Sequence, residues 1–219
     1  MRAGLLAMCA VPEGPRPGLC VLDMDMCVWR PEMYELDEIP VRTLEGDLNG
    51  RGRGIRSVFS GPREITMFDG ALAALQEYHD GLHPGMRLAV ASSADTPLAV
   101  QIGRAAMEVL EVLPGVTLLE VLTKGWEDER NLQIGRTPPL SAQKHLTHFP
   151  ILREATGYSY DQMLFYDDSN WSDNCGLVET HCKGVVTQRT PRGMGAAEWR
   201  AGLEKYARVA REREAAADR

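Results

Sequence analysis

Two aspartates two residues apart, Asp23 and Asp25, follow the apolar run Leu19 to Leu22. An apolar run of this length that ends in acids reads as a buried strand delivering carboxylates to its C-terminal edge. Open α/β sheets place their ligands at that edge. If the strand continued, both side chains would share one face. A turn would separate them, so that one carboxylate attacks while the other transfers a proton. Two further apolar runs end in hydrophilic residues: Arg87 to Ala91 ends in Ser92-Ser93, and Met163 to Tyr166 ends in Asp167-Asp168. Lys144 stands between those two runs.

Each feature alone has a plain structural explanation: a solvated turn, a serine capping a helix, a surface lysine. Together, in this order, they describe a site for a phosphoryl group. Carboxylates hold Mg²⁺, a cation that prefers oxygen ligands. A serine hydroxyl and backbone amides hold phosphate oxygens, and a lysine neutralises charge.

The elements that must position these residues are legible in outline. Phe68 to His79 carries Leu72, Leu75 and Tyr78 at helical spacing. Asp95 or Thr96 can cap the next helix, with Pro97 in its first turn and a core side of Ile102, Ala106, Val109 and Leu110 running toward Leu113. Val116 to Leu122 reads as a strand, and Lys144 reads as near the start of a helix that Gly157 ends. Gly184-Val-Val reads as a last short strand, and Ala196 to Ala210 as an amphipathic helix with Trp199, Leu203 and Tyr206 inward. Strands alternating with helices imply a parallel sheet with right-handed crossovers.

Two segments break the rhythm. Residues 30–67 hold many acids, then Gly46, Gly50, Gly52 and Gly54 among Arg51, Arg53 and Arg56. They read as an exposed hairpin insert overhanging the carboxylates. Residues 123–140, with Gly125, Gly135, Pro138 and Pro139, read as a loop. Both segments are expected to set specificity, since loops on a rigid scaffold carry function. One domain is expected over residues 18–210, with residues 1–17 as an N-terminal tail and 211–219 as a frayed C-terminal tail.

The 219 residues suffice for one α/β domain with a sizeable core. A formal net charge of -7 argues against a general nucleic-acid or anionic-membrane surface. Arg51-Gly-Arg-Gly lacks the interleaved aromatics of an RNA-binding segment. Five irregularly spaced cysteines, Cys9, Cys20, Cys27, Cys175 and Cys182, fit a reducing compartment, hence the cytoplasm, better than a disulfide framework. The apolar run Ala3 to Val11 is followed by prolines rather than a small-residue cleavage site, and no run is long enough to span a bilayer.

The ordered set resembles the haloacid dehalogenase superfamily of aspartyl-phosphate phosphatases, and within it the magnesium-dependent phosphatase-1 family. The text that carries the resemblance is Asp23-Met-Asp-Met-Cys-Val-Trp29, Ala91-Ser92, Lys144-His-Leu-Thr-His-Phe149, and Thr156 through Asp168. The resemblance implies a Rossmann-like α/β core, a central parallel sheet flanked by helices, with a minimal cap. It implies Asp23 as nucleophile and Asp25 as general acid/base. Ser92 and Lys144 would bind and neutralise the phosphoryl group, joined by Ser93 and the backbone amides of Met24 and Asp25. Asp23, the backbone carbonyl of Asp25 and Asp168 would hold Mg²⁺. The implied substrates are phosphorylated proteins of the phosphotyrosine type or sugar phosphates, including fructosamine phosphates, acted on by a monomer.

Some positions depart from the pattern. Cys27 stands where a threonine is usual, and Ser93-Ala94 where an Arg-Thr pair is expected. After Asp168 the chain reads Ser169-Asn-Trp-Ser-Asp173, so the residue backing the metal is open between Ser172 and Asp173. The role of Asp167 is also open. A silent binding module on the same fold, or another hydrolase such as a phosphonatase, are the alternatives. A dehalogenase needs no second acid, so Asp25 favours ester hydrolysis.

Overall fold

The computed structural model describes residues 13–218. Residues 1–12, most of the expected N-terminal tail, lie outside the described residues. In chain order, β1 (Leu19–Leu22) is followed by β2 (Trp29–Arg30), a 3-10 turn at Met33–Glu35, β3 (Arg42–Asp47), β4 (Arg53–Ser60), β5 (Arg63–Met67) and α1 (Asp69–His79). Next come β6 (Arg87–Ser92), α2 (Pro97–Val109), β7 (Glu111–Leu113), β8 (Val116–Thr117), α3 (Leu118–Leu122) and β9 (Leu132–Ile134). The chain continues through α4 (His148–Thr156), β10 (Met163–Asp167), α5 (Asn174–His181), β11 (Val186–Arg189) and α6 (Ala196–Ala217).

The main sheet has five parallel strands in the order β11-β10-β1-β6-β9. β1 sits at its centre, buried at every position because both faces are covered. Alternation then sorts its side chains. Cys20 and Leu22 join Leu72, Ile102 and Leu203, from α1, α2 and α6. Leu19 and Val21 join Phe149, Leu152 and Val178, from α4 and α5. Each fully buried Leu or Val contributes roughly 1.5–3 kcal/mol. α6 approaches β10 closely at Gly202, where an added Cβ would lie 2.3 Å from the Tyr166 hydroxyl. At the other face Gly157 ends α4 with φ 76°, a left-handed turn that a glycine adopts without strain.

Several expectations change. Residues 30–67 form more than a small hairpin. β3, β4 and β5 join β2 in a four-stranded antiparallel sheet, order β2-β5-β4-β3. Its buried Val58, Ile65 and Met67 belong to the same core as Leu22 and Leu72, so the insert is packed onto the domain. Val116 to Leu122 is not one strand. Thr117 and Glu120 form a capping box that starts α3 after two strand residues. The segment 123–140 contains β9, the edge strand of the main sheet, whose three residues are too few to show alternation. The helix after Lys144 begins at His148, leaving Lys144 in the preceding turns. The last strand lies at Val186–Arg189, and the helix expected to stop at Ala210 continues to Ala217.

α6 is tied to α1 by a polar cluster. Glu77 accepts hydrogen bonds from Trp199 Nε1 at 3.0 Å and Arg200 Nη1 at 2.8 Å, with His83 Nε2 at 3.3 Å. Burial alone would raise the Glu77 pKa, but the bonds from His83, Arg200 and Trp199 prevail and lower it from 4.5 to about 2. The depressed folded-state value means the stabilisation is present above the unfolded pKa and is lost as pH falls through the folded one. With one fifth of the side chain exposed, we expect Glu77→Gln to cost about 2 kcal/mol at pH 7. Urea unfolding of both proteins should show this gap narrowing below about pH 5. A gap independent of pH would place the Glu77 contribution elsewhere.

Candidate active site

β1, β6 and β10 end side by side, so Asp23, Ser92 and Asp167-Asp168 converge at one sheet edge. Lys144, only 1 % exposed, reaches into this edge from the turns before α4. Its Nζ lies 2.7 Å from Asp23 Oδ1 and 2.7 Å from Asp167 Oδ2. Burial alone would make Lys144 easier to deprotonate, but Asp167 and Asp23 overcome it and raise its pKa, so it remains an ammonium. Burial likewise pushes the Asp23 carboxyl upward, with Lys144 as the main opposing influence.

The three carboxylates differ in how far they are satisfied. One oxygen from each of Asp23, Asp167 and Asp168 lies within 4.8 Å of the others. Asp167 is saturated: Oδ1 accepts from Ser169 N at 2.7 Å and Ser169 Oγ at 3.0 Å, and Oδ2 accepts from Lys144 and from Asn174 Nδ2 at 3.2 Å. By contrast, Asp23 is bound through Oδ1 to Lys144, and Asp168 through Oδ2 to Asn170 N. The second oxygen of each has no protein partner among the described residues. Asn174 belongs to no motif in the sequence, and only its spacing after Asp167 signals this contact.

Asp25 is carried off the strand by a turn, which settles the choice between a shared face and separated carboxylates. The Met24 carbonyl accepts from Val28 N at 2.8 Å and Trp29 N at 3.1 Å, and Met26 takes φ 55°. Asp25 Oδ1 accepts from Trp29 Nε1 at 2.7 Å and Oδ2 from Met33 N at 3.1 Å. Burial raises its pKa, opposed by those two bonds. The amides of Met24 and Asp25 donate to no acceptor among the described residues, which leaves them available to an anion.

Ser92 is held from behind. Its carbonyl accepts from Gly135 N at 2.8 Å and from His148 Nε2 at 3.1 Å. Because a carbonyl only accepts, Nε2 carries the proton and Nδ1 accepts from Thr147 Oγ1 at 3.1 Å. Burial and the Lys144 charge lower the His148 pKa to about 4, so the ring is a neutral brace rather than a base. The Thr-His-Phe text marked this segment without revealing that function.

These groups open into a cleft of about 520 Å³ that also takes in Ser93, Ser172 and Asn174. Asp173 turns away from it: its carboxylate caps α5 through Gly176 N at 2.8 Å and pairs with Arg189. Ser172 is therefore the one of the two open candidates that faces the cleft. The arginines of the insert do not face the cleft. Arg51 pairs with Asp80 at 2.9 Å and Arg56 with Asp69 at 2.6 Å, and neither lines the cleft, nor does Arg53. From the two irregular segments the cleft receives instead Glu32, Tyr34 and Arg136.

A parallel α/β sheet that presents Asp23, Asp25, Ser92, Lys144 and Asp168 at one edge defines a haloacid dehalogenase-like phosphatase fold. The model of the acid phosphatase family matches residues 15–209, and the chain belongs to that family. No curated protein sequence matches it. Among solved structures it is similar, with a TM-score of 0.51 at 15% identity, to the N-terminal part of a Bacteroides fragilis protein containing a phosphatase domain, complexed with Mg. That likeness, which concerns the fold, covers 86% of this chain and 40% of the other, so the chain spans less than half of that structure's length. The expected α/β class and superfamily are borne out. The four described cysteines are free and buried, and no described helix is long and apolar enough to cross a membrane.

Proposed function

We propose that this acid phosphatase hydrolyses phosphate monoesters through a phosphoryl group carried transiently on Asp23, with Mg²⁺ held by Asp23, Asp168 and the backbone carbonyl of Asp25. The observation that carries the reading is the unequal satisfaction of the three carboxylates. Asp167 spends both oxygens on Lys144, Ser169 and Asn174, while Asp23 and Asp168 each keep one oxygen free. Buried, hard oxygen donors of this kind suit Mg²⁺. Bound there, the ion would neutralise phosphoryl oxygens.

The open Asp23 oxygen attacks phosphorus, forming an acyl phosphate as the ester P–O bond breaks, while Oδ1, beside Lys144, would be the oxygen that holds the metal. Asp25, whose pKa burial raises, delivers a proton to the departing oxygen. Asp25, now a carboxylate, takes a proton from a water molecule that attacks the acyl phosphate. Inorganic phosphate leaves and both aspartates return to their starting state. The amides of Met24 and Asp25, the hydroxyls of Ser92 and Ser93, and Lys144 hold the phosphoryl oxygens throughout. Phosphotyrosyl proteins and sugar phosphates, fructosamine phosphates among them, are the substrate classes we place here, since the cleft is open enough for either.

Excess chelator should abolish turnover of p-nitrophenyl phosphate, and Mg²⁺ should restore it. Asp168→Ala should raise the Mg²⁺ concentration for half-maximal rate by about 100-fold or more, above the range for losing a mere supporting partner. Asp167→Asn should leave that concentration within about tenfold and lower kcat instead, because Lys144 loses a counter-ion. The opposite ranking would move the metal ligand to Asp167, and full activity in chelator would remove the metal from the reading.

A further inference from the structure

One wall of the cleft has no task in the chemistry above. Trp171, in the turn after β10, is 78 % exposed, and Tyr34, in the 3-10 turn after β2, is 46 % exposed. Their rings meet edge to face with centroids 6.1 Å apart and planes at 79°. Large aromatic side chains left in water beside a cleft mark a contact surface rather than a core. Trp171 Nε1 donates to Glu32 Oε1 at 3.0 Å, so the acid and both rings form one corner of the mouth.

Glu32 is a half-buried carboxylate with no cationic partner among the described residues; its hydrogen-bond donor is the Trp171 indole. Burial, followed by the charge of Asp25, pushes its pKa up to about 7. The cationic side chains of the cleft are committed elsewhere. Lys144 serves Asp23 and Asp167, and Arg136 is held by Asp95 and, at 2.7 Å, by the Ser93 carbonyl. The cleft thus has five carboxyl groups, Asp23, Asp25, Glu32, Asp95 and Asp168, and even with Asp25 holding its proton four acids stand against those two cations. A divalent metal ion and a phosphoryl dianion offset each other, so they leave this excess of negative charge standing.

We infer that Glu32, Tyr34 and Trp171 form a subsite for a cationic nitrogen on the leaving group, so that the preferred esters are phosphorylated ammonium compounds. Aromatic faces and an unpaired carboxylate are the chemistry that recognises an ammonium. A tethered ammonium would sit beside Glu32 and against the ring faces while its phosphoryl group reaches Asp23. The inference rests on the phosphatase reading and deepens it.

The test compares choline phosphate with its carbon isostere, 3,3-dimethylbutyl phosphate, which has the same shape without the charge. Wild-type protein with Mg²⁺ should favour choline phosphate in kcat/KM by about tenfold or more, the size of one good cation–aromatic and ionic contact. Glu32→Gln should bring the ratio to within about threefold of unity, and Trp171→Ala should lower it by about fivefold. Trp171→Phe, which keeps an aromatic face, should retain most of it. A wild-type ratio at or below unity, or one that none of these variants moves, overturns the inference. If p-nitrophenyl phosphate is still hydrolysed in that case, the phosphatase reading stands without the subsite. If no ester is hydrolysed, both fall.

Discussion

Asp23→Asn is expected to lower kcat by at least ~10³-fold while leaving the protein folded, the scale seen when a covalent catalyst loses its attacking group. The expectation follows from position and from charge. Asp23 stands at the end of the central strand, with one oxygen on Lys144 and the other open toward the cleft. An amide in its place keeps the shape and removes both the proposed nucleophile and one of the two counter-charges of Lys144. Far-UV circular dichroism and a thermal midpoint near that of the wild type would confirm that folding is intact. Borohydride added during wild-type turnover should reduce an acyl phosphate at Asp23 to homoserine, which mass spectrometry locates. Near-normal turnover by a folded Asp23→Asn protein, or label on another carboxylate, would assign the attack elsewhere.

Asp25→Asn should produce the second-largest loss, about 10²–10⁴-fold in kcat for an alkyl phosphate. An alkoxide leaves poorly without a proton, and Asp25, the proposed donor, is held in place by Trp29 Nε1 and Met33 N. p-Nitrophenyl phosphate should behave differently in the same variant. Its phenolate leaves without help, so the first step should survive while the water step, for which we propose Asp25 as base, slows. A burst of about one nitrophenolate per protein, followed by a slow steady rate, is the expected trace. An equal loss on both esters, without a burst, would mean that Asp25 positions the site rather than moving protons.

The large interior parts of this protein were legible along the chain because they depend on local pattern. Leu19 to Leu22 is apolar at every position, as a strand covered on both faces must be, and the acids after it mark where the cover ends. Thr96, Pro97 and Gly157 carry their conformational preferences with them, so the start of α2 and the end of α4 followed. Weak local signals failed where pairing over long distance did the work. β9 has three residues and exists because Ser92 and its neighbours offer an edge. The insert alternates behind arginine and serine, and its buried face appears only once β2 and β5 pair.

At the site, the sequence alone determined the residue types, their order and the sheet edge that gathers them. It did not determine how the charges are shared, because that depends on distances between residues far apart in the chain. Only the tertiary structure decided that Asp167 is saturated by Lys144 and Asn174 while Asp168 keeps an oxygen free. It alone turned Asp173 outward to Arg189, and tied Arg51 and Arg56 to Asp80 and Asp69 instead of the cleft. A charged side chain goes to the nearest opposite charge that its backbone allows. That neighbour is named by the fold and not by the spacing of residues along the chain.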